Sequence, residues 1–151
     1  MSPHRSPRYK LWGVYYGPCH QIPPHEDGRV RNKFYVVVRV CENAGQVYCA
    51  LINSSQANLR GIKDCQIALA PNGLVKKGES GQQLRNPQSW LSVHTFARGG
   101  QLYALPLRVM DGHEFIGELA SDIALEIPQL ISKCKNISRN HKAILLGDAD
   151  C

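Results

Sequence analysis

The chain lacks several things that would settle its class at once. No apolar run approaches the roughly 20 residues that a membrane-spanning helix needs. The basic start, Met1-Ser2-Pro3-His4-Arg5-Ser6-Pro7-Arg8, is followed by no apolar h-region, so a secretory signal is not expected and the expected location is the cytoplasm. No Cys-x-x-Cys pair occurs among Cys19, Cys41, Cys49, Cys65, Cys134 and Cys151, and their spacings of 22, 8, 16, 69 and 17 residues match no zinc ribbon or finger. Without a leader, an even cysteine count in a chain of 151 residues does not imply a disulfide framework. Cys41, Cys49 and Cys65 lie in apolar, strand-like segments and read as small buried hydrophobes. Cys19-His20 with His25 is the one local cluster of soft ligands, and it has no fourth ligand nearby, so neither a metal nor a cofactor is expected.

Aromatic residues make up 7% and charged residues 20%, beside 43% apolar, which excludes a mainly disordered chain, a collagen-like sequence and a coiled coil. There is no internal repeat. What is present is an uneven distribution of charge. The formal net charge is +6, but residues up to Met110 hold 14 Lys/Arg against 5 Asp/Glu, and those from Asp111 onward hold 4 against 7. A surface of net +9 joined to one of −3 suggests a polyanion on the first and something else on the second.

The pattern predicts one domain. Residues 1–9, rich in Pro, Arg and His, read as a mobile basic arm, residues 10–146 as a single barrel-plus-helix domain, and 147–151 as an acidic tail. Strands are expected at Leu11–Tyr16, Lys33–Cys41, Val47–Asn53, Asp64–Ala70, Ser89–Phe96 and Gln101–Met110. In Lys33–Cys41 strict alternation puts Phe34, Val36, Val38 and Val40 on one face, with Tyr35, Val37, Arg39 and Cys41 on the other. Gly17–Asn32 and 75–88 read as long loops, and Pro71-Asn72-Gly73 as a turn. Pro106 marks its strand as an edge or a bulge.

From Glu114 the period changes. Phe115, Ile116, Leu119, Ile123, Ile127, Leu130, Ile131 and Cys134 form a helical stripe, kinked or split by Pro128. Glu114, Glu118, Asp122 and Glu126 would then make an acidic i+4 row, a solvated face or a docking surface for a basic partner. A short second helix is expected over Ser138–Leu146. The expected fold is α+β: a small, strongly bent antiparallel β-barrel of the SH3-like kind with a C-terminal helix.

Four pieces of the chain resemble the PemK/MazF-type toxin superfamily. They are the opening strand Trp12-Gly13-Val14-Tyr15, the charged loop running into the Val-rich strand (Arg29-Val30-Arg31-Asn32-Lys33-Phe34), the return strand ending Leu51-Ile52-Asn53-Ser54-Ser55, and the late strand Ser89-Trp90-Leu91-Ser92 ahead of the terminal helix. The resemblance covers roughly residues 10–135. It implies an SH3-like barrel, usually a homodimer, that cuts single-stranded RNA without a metal and whose groove an antitoxin peptide covers. Where the family has Arg followed by Pro, this chain has Lys33-Phe34, with Arg31 two residues earlier. The family's Thr/Ser at the end of the return strand corresponds to Ser54, and Val14 stands where an acidic residue usually follows the first Gly.

RNA cleavage through the 2′-hydroxyl needs a base, an acid for the leaving oxygen and cations for the crowded phosphate. Lys33, Arg31 and Ser54 are the candidates at the phosphate, and His94, which titrates near neutrality, is the candidate acid or base. Arg29, Arg60, Lys63, Lys76 and Lys77 would follow the RNA backbone, with Trp90, Tyr15, Tyr16 and Tyr35 as stacking faces. The competing readings are a catalytically inactive SH3-like nucleic-acid-binding module and a protein-interaction module that uses the acidic row.

Overall fold

Val36, Val37 and Val38 are all buried at the centre of the longest strand, β2 (Arg31–Cys41), because both of its faces are covered. β-Branched side chains suit that pleated backbone, and burying each contributes on the order of 1.5 kcal/mol or more. The computed structural model describes residues 9–20, 22, 24–53, 65–69, 74–76, 90–93 and 102–151. Around β2 lie β1 (Gly13–Cys19), β3 (Gln46–Asn53), β4 (Gln66–Ala68), β5 (Leu74–Lys76), β6 (Trp90–Ser92), β7 (Leu102–Pro106) and β8 (Glu114–Leu119). The sheet order is β4-β6-β3-β2-β1-β8-β5, with β7 also on β3, and every pairing is antiparallel. Two helices follow, α1 (Ser121–Lys133) and α2 (Arg139–Leu145). The fold is therefore α+β, with a curled antiparallel sheet, as the strand spacing predicts.

Two cores result. On one face Val14, Val36, Val38, Ala50, Ile52 and Leu91 pack with Ile127, Ile131 and Leu145 of the helices. On the other, Tyr15, Tyr35, Val37, Val47, Cys49, Leu51 and Leu105 cluster with Tyr9 and Cys19. Tyr9, placed at the end of the expected arm, is instead buried, edge-on to Tyr15, with its hydroxyl donating to Asp111 Oδ1 at 2.6 Å.

Strict alternation fails in the outer third of β2. Val37 pairs with Cys49, but Arg39 pairs with Tyr48, so Val38 is an extra residue in the ladder. Such a bulge advances the phase by one. Val40 consequently packs with Val37's cluster and Cys41 with Val38's, the reverse of the expected faces. Arg39, opposite Tyr48 of the helix-side core, turns toward the helices.

The expected helix from Glu114 is corrected too. Glu114–Leu119 is a strand hydrogen-bonded to β1 and β5, and the helix starts only at Ser121. The apolar spacing at 115, 116 and 119 fits a helix or a bulged strand equally, and the free edge of β1 decides it. The acidic row is thereby divided between a strand and a helix, and Glu118 forms an ion pair with Lys10. α1 continues through the exposed Pro128. Leu74–Lys76, the last two of them expected at the start of the 75–88 loop, form β5. α2 matches its prediction: the Ser138 hydroxyl accepts from the His141 N–H at 3.1 Å. Its end is a Schellman turn, with Gly147 at φ 80° and the Asp148 and Gly147 amides donating to Ala143 and Ile144.

The reading of the cysteines as buried hydrophobes holds for Cys49, which is buried and, like Cys19, in no disulfide. It fails for Cys41 and Cys65, which are bonded to Cys151 and Cys134. Residues 147–151 are thus pinned to the end of β2, and the end of α1 to the start of β4. Spacing in sequence could not reveal partners 110 and 69 residues away. Cystine bonds persist in oxidising compartments and are rare in a reducing cytosol, which sets a condition on any cytoplasmic location. No helix among the described residues is long and apolar enough to cross a membrane.

Candidate functional site

The antiparallel register brings residues from five strands into one row at the end of the sheet. Gly17 of β1 stands opposite Lys33 of β2. Lys33 is one residue before the Phe34–Ile52 pair and Asn53 one residue after it, and the Lys33 ammonium donates to Asn53 Oδ1 at 2.9 Å. Asn53 is in turn opposite Trp90 of β6, and Trp90 opposite Ala68 of β4. Directly paired residues share a face, so Lys33, Asn53 and the partly buried Trp90 project from the same side. Arg31, two residues outward along β2, follows Lys33 on that face and is exposed.

Lys33 is a different cation from its surface neighbours. Desolvation holds its ammonium below the ordinary lysine range; nearby Cys19 opposes that shift and Arg31 adds to it. A half-buried lysine of this kind, held by Asn53 and lining the cleft beside the row, is a fixed, poorly hydrated charge. Beneath it Tyr35 donates to the Pro18 carbonyl at 3.0 Å, and burial, with Cys19 beside it, pushes the phenol well above its usual range.

Beside the row opens a cleft of about 400 Å³ lined by Ile22, His25, Arg31, Asn32 and Lys33. A tight turn shapes its outer wall. The Gly28 amide donates to the His25 carbonyl and the His25 amide to that of Arg29, both at 2.9 Å, and Gly28 takes φ 86° at the tip. Arg29 is drawn into that turn: its Nε donates to Asp27 at 2.6 Å, both side chains being exposed.

The sequence candidates therefore separate. Lys33, Arg31 and Trp90 are brought together; Arg29 stands at the cleft's edge, committed to Asp27. Lys76 lies on β5 at the other end of the sheet order, its backbone opposite Gly117. Ser54, His94, Arg60, Lys63 and Lys77 lie outside the described residues, although Ser54 directly follows Asn53 in sequence. Of the aromatic candidates, Tyr15 and Tyr35 are core residues and Tyr16 packs on Phe34 at 4.5 Å, so none of these three offers a free stacking face.

Three residues were missed. Asn53 stood in the return-strand motif with no role of its own, and His25 was weighed only as a soft metal ligand beside Cys19 and His20. His113 lies in the β7–β8 connection, 96 residues from Gly17, yet its ring covers that glycine and meets Tyr35 edge-on at 4.8 Å. No family model matches this chain, and no curated protein matches it.

Proposed function

We propose that the row and its cleft bind single-stranded RNA and cleave it without a metal, as in the PemK/MazF-type toxins that the sequence resembles. The observation that carries this reading is Lys33. It is half-buried, desolvated and fixed by Asn53 immediately before Ser54, with Arg31 two residues outward along β2 and Trp90 on the far side of Asn53. In the proposed reaction the RNA 2′-oxygen attacks the adjacent phosphorus, its proton passing to a base, and the 5′-oxygen leaves with a proton from an acid. A cyclic phosphate and a 5′-hydroxyl result. Lys33 and Arg31 stabilise the charge that grows on the phosphorane, Ser54 holds a phosphate oxygen, and Trp90 stacks a base. His25 in the cleft joins His94 as a candidate for proton transfer.

The rest of the proposal is a cytoplasmic homodimer with an SH3-like barrel, its cleft covered by an antitoxin peptide. In a cytosol the fold would have to stand with its disulfides open, so the assay is run with and without reductant.

The test is cleavage of a mixed RNA in EDTA. Lys33→Ala and Ser54→Ala should each slow it by at least about 100-fold if they act on the transition state. Absence of cleavage and of growth arrest on expression rejects the nuclease. Salt-sensitive RNA binding without cleavage then selects an inactive nucleic-acid-binding module. The protein-interaction alternative loses its main feature, because the acidic row is not one helix face.

A further inference from the structure

A second cavity, of about 340 Å³, lies on the helix side of the sheet between the bulge of β2 and the two helices. Its walls are mainly apolar, with Trp12, Val38, Ile131 and Leu145 among them, and Arg39 is the one ionisable residue among its described lining. The bulge at Val38 is what turns Arg39 this way. The Arg39 Nε is buried and has no hydrogen-bond partner among the described residues. A guanidinium does not shed its charge to relieve this, since it stays protonated throughout the working pH range. A buried donor left unmade is costly, and an anion is the group that would satisfy it.

Trp12 adds an independent sign. It has φ 68°, the only described non-glycine residue with positive φ, a conformation that is an outlier for a bulky side chain. Bonds on both sides hold it there: its N–H donates to the Val37 carbonyl at 2.7 Å and its carbonyl accepts from Leu119 at 3.0 Å. Backbone strain of this kind gathers at ligand clamps, and here it sets an indole in the cavity wall.

We infer that this cavity binds a small monocarboxylate with an apolar body, the carboxylate on Arg39 and the body between Trp12 and the helices. The size is within the range of small-molecule pockets, and an apolar lining with a single convergent charge suits such a ligand. The site is separate from the proposed RNA cleft, which opens on the opposite face of β2.

The probe is decanoate, with decanol as its uncharged counterpart, titrated against a Trp90→Phe chain. Trp12 is then the sole tryptophan and reports on the cavity alone. Decanoate should change Trp12 emission saturably and bind at least about tenfold more tightly than decanol. Arg39→Gln should abolish that preference. Equal binding of the two ligands, no saturable signal, or full decanoate affinity in Arg39→Gln would overturn the assignment. If Arg39→Gln does not fold by circular dichroism, the two-ligand comparison on the chain with Arg39 intact decides alone. RNA binding by that chain has no bearing on the outcome.

Discussion

The imidazole of His113 occupies the space that a β-carbon on Gly17 would need, its Cδ2 falling 2.6 Å from that position. Gly17 is also the residue opposite Lys33, so the glycine lets a ring from the far end of the chain settle over the row that holds the candidate site. Gly17→Ala should displace His113 and destabilise the fold by about 1–3 kcal/mol. Urea denaturation reads the stability, and the His113 ring proton resonances read the displacement. An unchanged midpoint with unchanged resonances would remove His113 from the site's description.

The depressed lysine gives a pH dependence of defined sign. Burial lowers Lys33 in the folded state relative to 10.5, so between that lowered value and 10.5 the unfolded chain binds more protons than the folded one. Stability contributed by this group therefore rises with pH through that window. Burial raises Tyr15, Tyr35 and Tyr103, which work in the opposite sense above pH 10. The measurement is accordingly a difference. Wild type minus Lys33→Met, by denaturation from pH 8 to 10.5, should climb with pH; a flat difference contradicts the desolvated lysine.

Asn53→Leu takes away the acceptor for the Lys33 ammonium and should cost about 1–3 kcal/mol. Asn53→Asp supplies a charge and should raise the lysine's pKa instead. Chemical shifts of the Lys33 ε-methylene protons across the titration distinguish the two variants.

Two thiols, Cys19 and Cys49, should be the only ones to alkylate in the denatured, unreduced chain, and all six should alkylate after reduction. Both of these thiols are buried, and burial pushes Cys49 well above the usual thiol range, so neither should label quickly in the folded state. Cys151→Ser and Cys134→Ser should each lower stability by about 2–4 kcal/mol. Four free thiols in the unreduced chain would refute the pairing.

If about six cations meet phosphates, RNA affinity should fall at least ~10³-fold between 50 and 200 mM salt. Arg31→Ala should weaken binding and flatten that slope, while Arg29→Ala, its charge already matched by Asp27, should do less. Trp90 emission should be quenched by RNA. A flat salt response would set aside every nucleic-acid reading.

Much of the sheet was legible because β2 and β3 are long, apolar and joined by the short turn Glu42–Gly45; their pairing is local and their pattern strong. Lys33, Arg31 and Trp90 could be named for chemical type, but their alignment depends on register across β2, β3 and β6, which composition does not encode. The bulge at Val38 left no mark either, since Val37, Val38, Arg39 and Val40 alternate plausibly in either phase. Glu114–Leu119 was misread because three apolar positions suit both periods, and only the open edge of β1 selects the strand. His113 and the partners of Cys41 and Cys65 are long-range facts, fixed by how the chain closes on itself.

That closure has a topological consequence. The Cys65–Cys134 bond is nested in sequence within the Cys41–Cys151 bond. Any single backbone cut between residues 41 and 151 therefore leaves one covalent molecule, heavier by a water. A second cut also leaves one species, until the cystines are reduced, provided that one of the two falls between residues 65 and 134 and the other between 41 and 65 or between 134 and 151.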